Sequence, residues 1–312
     1  MNPSPALPQL GDAVFLTDGG IETELIFRHG IDLPEFASFV LHDDPSARDT
    51  LMAYYRDYLR IGSTAGYGLV FETLTWRASA DWGASLGYDE SALRDVNRRS
   101  ADFLLDLREK EAETTVVISG CVGPRGDAYS DLGSMQIDEA ADYHRDQVEA
   151  LAAAGVDFIS ALTLTNTAEA IGIATAAEEV GVPVAISFTV ETDGTLPDGM
   201  LLGDAIAAVD GATGNAPSYY MINCAHPDHF SDTLAGTHPS LSRIRGLRAN
   251  ASRLSHAELD ECEELDDGDP TEFGAQLAQL HAAIPTITVL GGCCGTDSRH
   301  IEAIATARAL GG

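Results

Sequence analysis

The sequence predicts an α/β protein built as a (β/α)8 barrel (TIM barrel), and three observations lead to this fold. Eight apolar runs rich in β-branched residues recur along the chain, segments with helical periodicity separate them, and the runs are apolar almost throughout. Such runs are typical of a parallel sheet covered by helices on both faces, and eight units fit a closed barrel. A chain of 312 residues, 45% of them hydrophobic, can bury a core of this size, so we expect residues 1–312 to form a single barrel domain.

Each candidate strand is a run of six to eight residues. In chain order the strands are Ala13–Asp18, Gly68–Thr75, Thr115–Cys121, Val156–Thr163, Val182–Thr189, Tyr219–Ala225, Ile244–Asn250 and Ile287–Cys294.

The helices between the strands carry recognisable start and stop signals. Asp269 is predicted to cap a helix that has Pro270 at its first position and Glu272 completing a capping box. Asn166, with a glutamate three residues later, predicts another helix start, and Gly181 predicts a helix end before the next strand.

An open, doubly wound sheet is the alternative to the barrel. That fold favours a glycine-rich phosphate-binding turn after its first strand. The turn here, "TDGGIETEL", contains Gly19 and Gly20 but lacks the G-x-G-x-x-G spacing, so the barrel remains the preferred interpretation.

The charge balance excludes several classes of partner. The chain has 49 acidic residues against 18 Lys and Arg, a net charge of −31, which repels nucleic acids and anionic membranes. Solubility is one explanation of this charge. A salt-rich cytosol, where ions screen the self-repulsion of the surface, is the sharper hypothesis. We expect small-molecule partners, and the oligomeric state stays open.

A cytoplasmic location is predicted from two features of the sequence. The N-terminal segment "MNPSPALPQLGDA" has no basic run followed by an apolar stretch, and the chain has no run of about 18 apolar residues of the kind that spans a membrane. In a reducing cytosol the five cysteines should remain thiols.

The carboxyl ends of the predicted strands are unusually polar, and active sites of (β/α)8 barrels form at those ends. Three of the five cysteines end strands six and eight, which open onto the same mouth. The polar residues at these ends are Asp18, Glu72, Thr73, Thr75, Thr163, Thr189, Glu191, Cys224, Asn250, Cys293 and Cys294.

Cys293 and Cys294 are adjacent, and neighbouring side chains of a regular strand point to opposite faces. The glycines in "LGGCCGTDS" allow the backbone to leave strand geometry, so both sulfurs can turn toward the barrel axis. With Cys224 they supply three thiolates and an open position, the layout of a catalytic zinc site. Inert, buried cysteines are the alternative, and the presence of three at one barrel mouth favours the metal site.

Several segments carry a resemblance to a known family. They are "LTDGGIETEL", "ETLTW", "SGCVGPRGDAY", "AAGVDF", "SFTVETDGTLPDG", "INCAHP", the asparagine of "RANAS", and "GGCCGT". Over nearly its whole length the chain resembles the homocysteine S-methyltransferase family.

The resemblance implies a Zn²⁺-dependent methyltransferase with Cys224, Cys293 and Cys294 as metal ligands and Asp18, with the backbone of Gly19, holding the acceptor amino acid. Three thiolates donate charge to a metal, which keeps a fourth, substrate thiolate nucleophilic, so no side chain need act as a general base. The chain is too short for additional folate or cobalamin modules. We therefore expect a small sulfonium or betaine-type methyl donor and a thiol acceptor, with homocysteine, giving methionine, as the first candidate.

One position departs from the family pattern. Family members generally carry a glutamate at the end of strand four that receives the acceptor's ammonium group, and Leu162 stands there in this chain. Either Glu72 or Glu191 takes over that function, or the acceptor is a different thiol or selenol. Thr73 is a further candidate for acceptor binding, and Asn250 is expected either to hold the acceptor's polar end or to cap its strand.

Two other functions remain as alternatives: a zinc hydrolase or lyase on the same barrel, which the all-sulfur ligand set disfavours, and a zinc-binding barrel without catalysis.

Other polar residues are given structural explanations. His226 and His229 are predicted to face solvent, and Cys121 and Cys262 to be inert thiols. The acidic segment at about 252–270 is predicted to be a solvated excursion over the barrel mouth, with a lid as its possible function.

Overall fold

A computed structural model of the chain describes residues 7–127, 135–262 and 264–310. Eight parallel strands form a closed barrel in the order β1-β2-β3-β4-β5-β6-β7-β8, and β1 pairs with β8 through Phe15–Val289 and Leu16–Leu290. The predicted (β/α)8 barrel is therefore confirmed, and the alternative of an open sheet is excluded. None of the helices in the described part of the chain is long and apolar enough to cross a membrane.

All eight predicted strands are present, most of them shorter at one or both ends than the sequence runs suggested. They are β1 Phe15–Thr17, β2 Gly68–Glu72, β3 Val116–Val122, β4 Phe158–Leu164, β5 Val184–Phe188, β6 Tyr219–Asn223, β7 Ile244–Ala249 and β8 Val289–Gly292.

One main helix follows each strand and covers the outside of the barrel. The helices are α1 Ile21–Phe27, α2 Arg48–Ala65, α3 Ala80–Ser85, α4 Glu90–Glu111, α5 Ile137–Ala154, α6 Thr167–Val180, α7 Leu202–Thr213, α8 Pro227–Leu234, α9 His256–Asp260, α10 Pro270–Ala283 and α11 Ser298–Leu310, of which α1, α3 and α9 are short additions. Short 3-10 helices lie at Pro8–Leu10, Pro34–Phe36, Ser38–Asp43 and Pro239–Arg243.

The predicted helix signals are confirmed with one exception. The Asn166 side chain accepts a hydrogen bond from the Glu169 N–H, and Gly181 ends α6 with φ 83°. Asp269 caps α10 through the N–H groups of Thr271 and Glu272. However, the Glu272 carboxylate, predicted to complete a capping box, instead accepts from Arg253 at 2.6 Å.

The inside of the barrel changes from apolar to polar toward the mouth. Because side chains alternate along a strand, residues two apart share the inner face. An apolar cluster fills the lower barrel, and a buried polar group lies above it, at the level where the strands end. The apolar cluster contains Phe15, Val70, Val117, Phe158, Ala185, Tyr219, Met221 and Val289, and the polar group contains Glu72, Ser119, Ser160, Ser187 and Arg248.

The net charge of −31 leads to a prediction about stability. Many of the cations already lie in surface ion pairs, such as Arg56 with Glu111 and Arg98 with Asp102, so the excess carboxylates repel one another. We expect the melting temperature to rise by several degrees between low salt and about 0.5–1 M NaCl. Over that range the Debye length falls to about 3–4 Å, so the repulsion between carboxylates is screened. Thermal unfolding followed by circular dichroism across a salt series measures this, and a melting temperature that stays flat would contradict screening as the cause.

Candidate metal centre and substrate cavity

A cavity of about 420 Å³ opens at the carboxyl ends of the strands. This is the end of a (β/α)8 barrel at which active sites form. The three predicted metal ligands and five of the predicted substrate-binding residues line it, namely Asp18, Gly19, Glu72, Thr73, Cys224, Asn250, Cys293 and Cys294.

The three predicted metal ligands lie together. Their sulfur atoms are all within 4.8 Å of one another, and the Sγ atoms of Cys224 and Cys294 are 3.6 Å apart. With zinc–sulfur bonds of about 2.3 Å, a tetrahedral site places its sulfurs roughly 3.8 Å apart. The trio would therefore hold a zinc ion with little adjustment and would supply three of the four ligands of a tetrahedral site.

The backbone brings these sulfurs together by leaving strand geometry at two places. Cys224 directly follows β6 and has φ 59°, an uncommon conformation for a residue with a side chain. Strand β8 ends at Gly292, so Cys293 and Cys294 lie in the following turn, where Gly295 has φ 78°. The predicted escape of the cysteine pair from the strand is thus confirmed.

The three thiols differ in their acidity. Hydrogen bonds from Cys224 and Cys294, assisted by the guanidinium of Arg248, hold the pKa of the Cys293 thiol well below its usual range. Hydrogen bonding to Cys224 and Cys293, together with burial, raises the pKa of the Cys294 thiol. Within the trio, ionisation is therefore favoured at Cys293 and disfavoured at Cys294.

The turn after β1 is packed directly against the cysteine turn. A Cβ atom on Gly20 would collide with the backbone carbonyl of Cys293, and one on Gly19 would lie 2.8 Å from the carbonyl oxygen of Thr296. The Gly20 N–H donates to that same Thr296 carbonyl at 3.0 Å. Both glycines of "TDGG" are therefore required for the close approach of the two turns.

The floor of the cavity carries a buried ion-pair group. Arg248 donates to Asp18 at 2.7 Å, and its Nη1 atom lies 3.4 Å from Oε1 of Glu72. The three side chains are only 2–7% exposed. Burial raises the pKa of Asp18 to about 7, although Arg248 opposes that shift, and burial also raises the pKa of Glu72.

The predicted excursion lies over the mouth of the cavity. Its first helical residue, His256, donates from Nε2 to the Cys224 carbonyl at 2.7 Å, which ties the segment to the metal centre. Further along, Leu259, Cys262 and Leu265 line the cavity, together with Glu264 and Asp266. The excursion therefore forms one wall of the site.

The two histidines after Cys224 take no part in the cysteine cluster. The prediction that His226 faces solvent was wrong: it is 2% exposed, because its Nδ1 caps α8 by accepting from the Asp228 N–H. His229 is half-buried, with Nε2 3.0 Å from the Arg253 carbonyl.

Comparison with known proteins places this site in a family. The family model for homocysteine S-methyltransferase matches residues 15–308. The chain belongs to the homocysteine S-methyltransferase family. It is thus a homocysteine S-methyltransferase-like enzyme. Residues 128 and 129, at the end of one of the segments that suggested this family, lie outside the described part of the chain.

Several members of the family cover almost the whole chain. The homocysteine S-methyltransferase of Escherichia coli K12 is 28% identical, over 97% of each protein. Homocysteine S-methyltransferase 4 of Zea mays is 25% identical over 94% of this chain and 88% of its own length, and the selenocysteine Se-methyltransferase of Brassica oleracea is 23% identical over 93% and 87%. A crystal structure of the E. coli homocysteine methyltransferase MmuM, described as its metallated form, superposes with a TM-score of 0.72 at 24% identity, covering 99% of this chain and 100% of that one.

Leu162, the departure from the family pattern, lines the cavity beside Trp76, whose indole N–H lies 3.5 Å from the Leu162 carbonyl. Of the two carboxylates proposed to replace the family's glutamate, Glu72 lies on the cavity floor. Glu191 is not among the residues that line the cavity, and its carboxylate lies 3.4 Å from Nδ1 of His256.

Two charged residues that line the cavity, Arg248 and Glu22, were not predicted from the sequence. Arg248 is one of two charged residues in β7, and a charged residue at an inward-facing position of a barrel strand was the available signal. Glu22 also lines the cavity, where its carboxylate accepts from the Ser38 hydroxyl at 2.7 Å and burial raises its pKa.

Cys121, predicted to be inert, is buried in the cavity wall, and burial raises the pKa of its thiol well above the usual range. Cys262 is exposed.

Proposed function

We propose that this enzyme transfers a methyl group from a small cationic donor to the thiol of homocysteine, giving methionine. The observation that carries the proposal is the cysteine trio, which lines a cavity that also contains a buried carboxylate and a buried guanidinium. No other described group of three or more potential metal ligands competes with the trio.

In this proposal Cys224, Cys293 and Cys294 hold Zn²⁺. When bound, the metal supplies the Lewis acidity that keeps a substrate thiol deprotonated at neutral pH. The remaining tasks fall to the protein: it orients the acceptor, aligns the methyl donor and excludes water from the reacting atoms.

Glu72 is proposed to receive the ammonium group of the acceptor in place of the glutamate that Leu162 replaces. Its Oε2 atom is buried and has no hydrogen-bond partner among the described residues, so it is free to accept from an ammonium group. A bound cation would also offset the cost of ionising this buried carboxyl, whose pKa burial raises.

The walls and mouth of the cavity are suited to a positively charged methyl donor. Glu22, Asp127 and Asp266 line it, whereas the ring of Trp76 is already covered by the guanidinium of Arg77 at 4.6 Å from the ring centroid. Apolar side chains that limit the entry of water complete the wall, among them Phe27, Phe36, Leu259 and Leu265. A sulfonium or quaternary ammonium group matches this combination of acidic and apolar residues.

The direct test offers zinc-loaded protein homocysteine with S-methylmethionine, S-adenosylmethionine or betaine, and follows methionine formation by mass spectrometry. We expect transfer from at least one donor. Absence of transfer to homocysteine or any related thiol, with zinc bound, would defeat the proposal and leave a zinc-binding barrel without this activity.

Glu72→Gln tests the proposed acceptor contact in the same assay. A lost charge-assisted hydrogen bond is worth about 1.5–3 kcal/mol, so KM for homocysteine should rise roughly 10- to 100-fold, with a smaller change in kcat. Glu191→Gln is the matched control, because Glu191 is not among the cavity-lining residues, and its KM should remain near that of the unmodified enzyme. Equal effects of the two changes would remove Glu72 from the acceptor site.

A selenol is the second candidate acceptor. Leu162 weakens the case for homocysteine, and one relative carries the name selenocysteine Se-methyltransferase. Including selenocysteine in the assay separates the two, because the preferred acceptor will have the higher kcat/KM.

A further inference from the structure

Arg248 is a buried cation with unused hydrogen-bonding capacity at the cavity floor. It is 5% exposed, and its Nη2 atom donates to Asp18 at 2.7 Å and lies 3.5 Å from the Gly19 carbonyl. Its Nε and Nη1 atoms are buried and have no hydrogen-bond partner among the described residues, although Nη1 approaches Glu72. An arginine carries five donors in one plane, so most of this fork remains available to a ligand.

The guanidinium of Arg248 lies in the cavity where the acceptor is proposed to bind. Arg248 precedes the end of β7 and shares the inner face with Gly246, where the Met221 side chain fills the space that a Cβ would take. Its backbone carbonyl accepts a hydrogen bond from the Cys224 N–H at 3.1 Å. The guanidinium therefore lies on the same floor as the metal centre, within reach of a molecule that binds a metal there through sulfur.

We propose that Arg248 binds the carboxylate of the acceptor and thereby determines which thiols this enzyme accepts. The inference rests on the proposed function and names its substrate class: a thiol amino acid whose carboxylate lies on Arg248 and whose ammonium lies on Glu72. The planar guanidinium fork matches a carboxylate in two-point geometry. In an α-amino acid the two charged groups are attached to one carbon atom, which suits two receptors whose nearest charged atoms are 3.4 Å apart.

The competing explanation is a purely structural role, in which Arg248 only neutralises the carboxylates of Asp18 and Glu72. That role would use the Nη2 contact and the nearby Nη1 atom, and it assigns no partner to Nε. It would also make acceptor binding insensitive to the presence of a carboxylate on the ligand. The two explanations therefore differ in what the unmodified enzyme binds, before any residue is changed.

The test measures binding to zinc-loaded protein by calorimetry, without a methyl donor. Three thiols are compared: homocysteine, 3-aminopropanethiol, which lacks the carboxylate, and 4-mercaptobutanoate, which lacks the ammonium. We expect homocysteine to bind at least 10-fold more tightly than 3-aminopropanethiol. Equal affinity of these two ligands for the unmodified protein overturns the proposal outright.

Variants then assign the effect to the residue. In Arg248→Gln the preference for homocysteine over 3-aminopropanethiol should fall below about 3-fold, while the preference over 4-mercaptobutanoate, which Glu72 provides, persists. Arg245→Gln is the matched control on the same strand: its guanidinium binds the carbonyls of Leu10 and Gly11, and it should keep both preferences. Retention of the carboxylate preference in Arg248→Gln overturns the assignment.

Arg248→Lys provides the measurement if the glutamine variant does not fold, since it keeps the charge and loses the planar fork. Its carboxylate preference should fall between those of the other two proteins, and an unchanged preference counts against the proposal. The methyl-transfer assay distinguishes failure of the proposed function from failure of the assignment of Arg248. Absent transfer with the expected binding pattern defeats the proposed function alone, whereas transfer without discrimination by carboxylate defeats the assignment of Arg248.

Discussion

Replacing Cys224 by alanine is expected to abolish metal binding and methyl transfer together. The three sulfurs lie within 4.8 Å of one another, and removal of one leaves two thiols, which cannot hold a tetrahedral ion against competing water. Even residues that only orient a metal ligand contribute about 10–100-fold to affinity, so the loss of a ligand should cost more than roughly 100-fold. Zinc content by atomic absorption after dialysis, together with the methyl-transfer rate, measures both effects.

Cys262→Ala is the matched control for this prediction. Cys262 is exposed at the cavity wall, and its thiol donates to the Glu258 carbonyl rather than to the cysteine trio. The variant should keep its zinc, and its melting temperature should be unchanged. Unaltered zinc content in Cys224→Ala would show that the trio is not the metal site.

The parts of the site that follow from local chain geometry could be predicted from the sequence. Strand ends are marked by the change from apolar to polar residues, and glycines beside Cys293 and Cys294 indicate a backbone free to turn. Once the barrel was inferred, strands six and eight had to open onto one mouth. That topology brought Cys224 to the pair without any knowledge of the side-chain contacts.

Contacts between distant segments could not be predicted in this way. Arg248 and Asp18 are 230 residues apart, and no periodic pattern shows that one binds the other. His226 was predicted to face solvent because of its placement in a proline-containing loop sequence, whereas its ring caps α8. Glu272 has the spacing of a capping box, but a guanidinium from another segment competes for its carboxylate. For Arg248 and Glu272 a tertiary interaction decided among options that the local sequence left open, whereas the His226 cap is a local contact with the Asp228 N–H.

Asp18→Ala is expected to produce the largest loss of stability among substitutions at the cavity floor. The side chains of Asp18 and Arg248 are 2% and 6% exposed, so the change leaves a buried guanidinium with only the 3.4 Å approach of Glu72. Breaking a buried pair by removing one partner typically costs about 3–5 kcal/mol, and we expect roughly 3 kcal/mol because Glu72 remains. Urea unfolding at pH 8 is the measurement, since Asp18 is ionised above its pKa of about 7.

Asp102→Ala is the control on the surface. Asp102 pairs with Arg98 at 2.5 Å, but both side chains are about half exposed, and such pairs contribute about 0–1 kcal/mol. A loss of stability in Asp18→Ala no greater than in Asp102→Ala would contradict the idea that burial makes the Arg248 pair important.

The double change Asp18→Ala with Arg248→Met identifies the source of the cost. Arginine cannot release its proton within a protein, so an unpaired Arg248 must remain charged in a dry environment. A carboxyl group has an alternative: with Arg248 removed, Glu72 can take up a proton, which the burial that already raises its pKa favours. The double variant should therefore be more stable than Asp18→Ala alone, although it lacks more native contacts. If the loss of stability in the double variant equals the sum of the losses in Asp18→Ala and Arg248→Met, ordinary packing stabilises the floor. The unpaired charge is then not what makes Asp18 necessary.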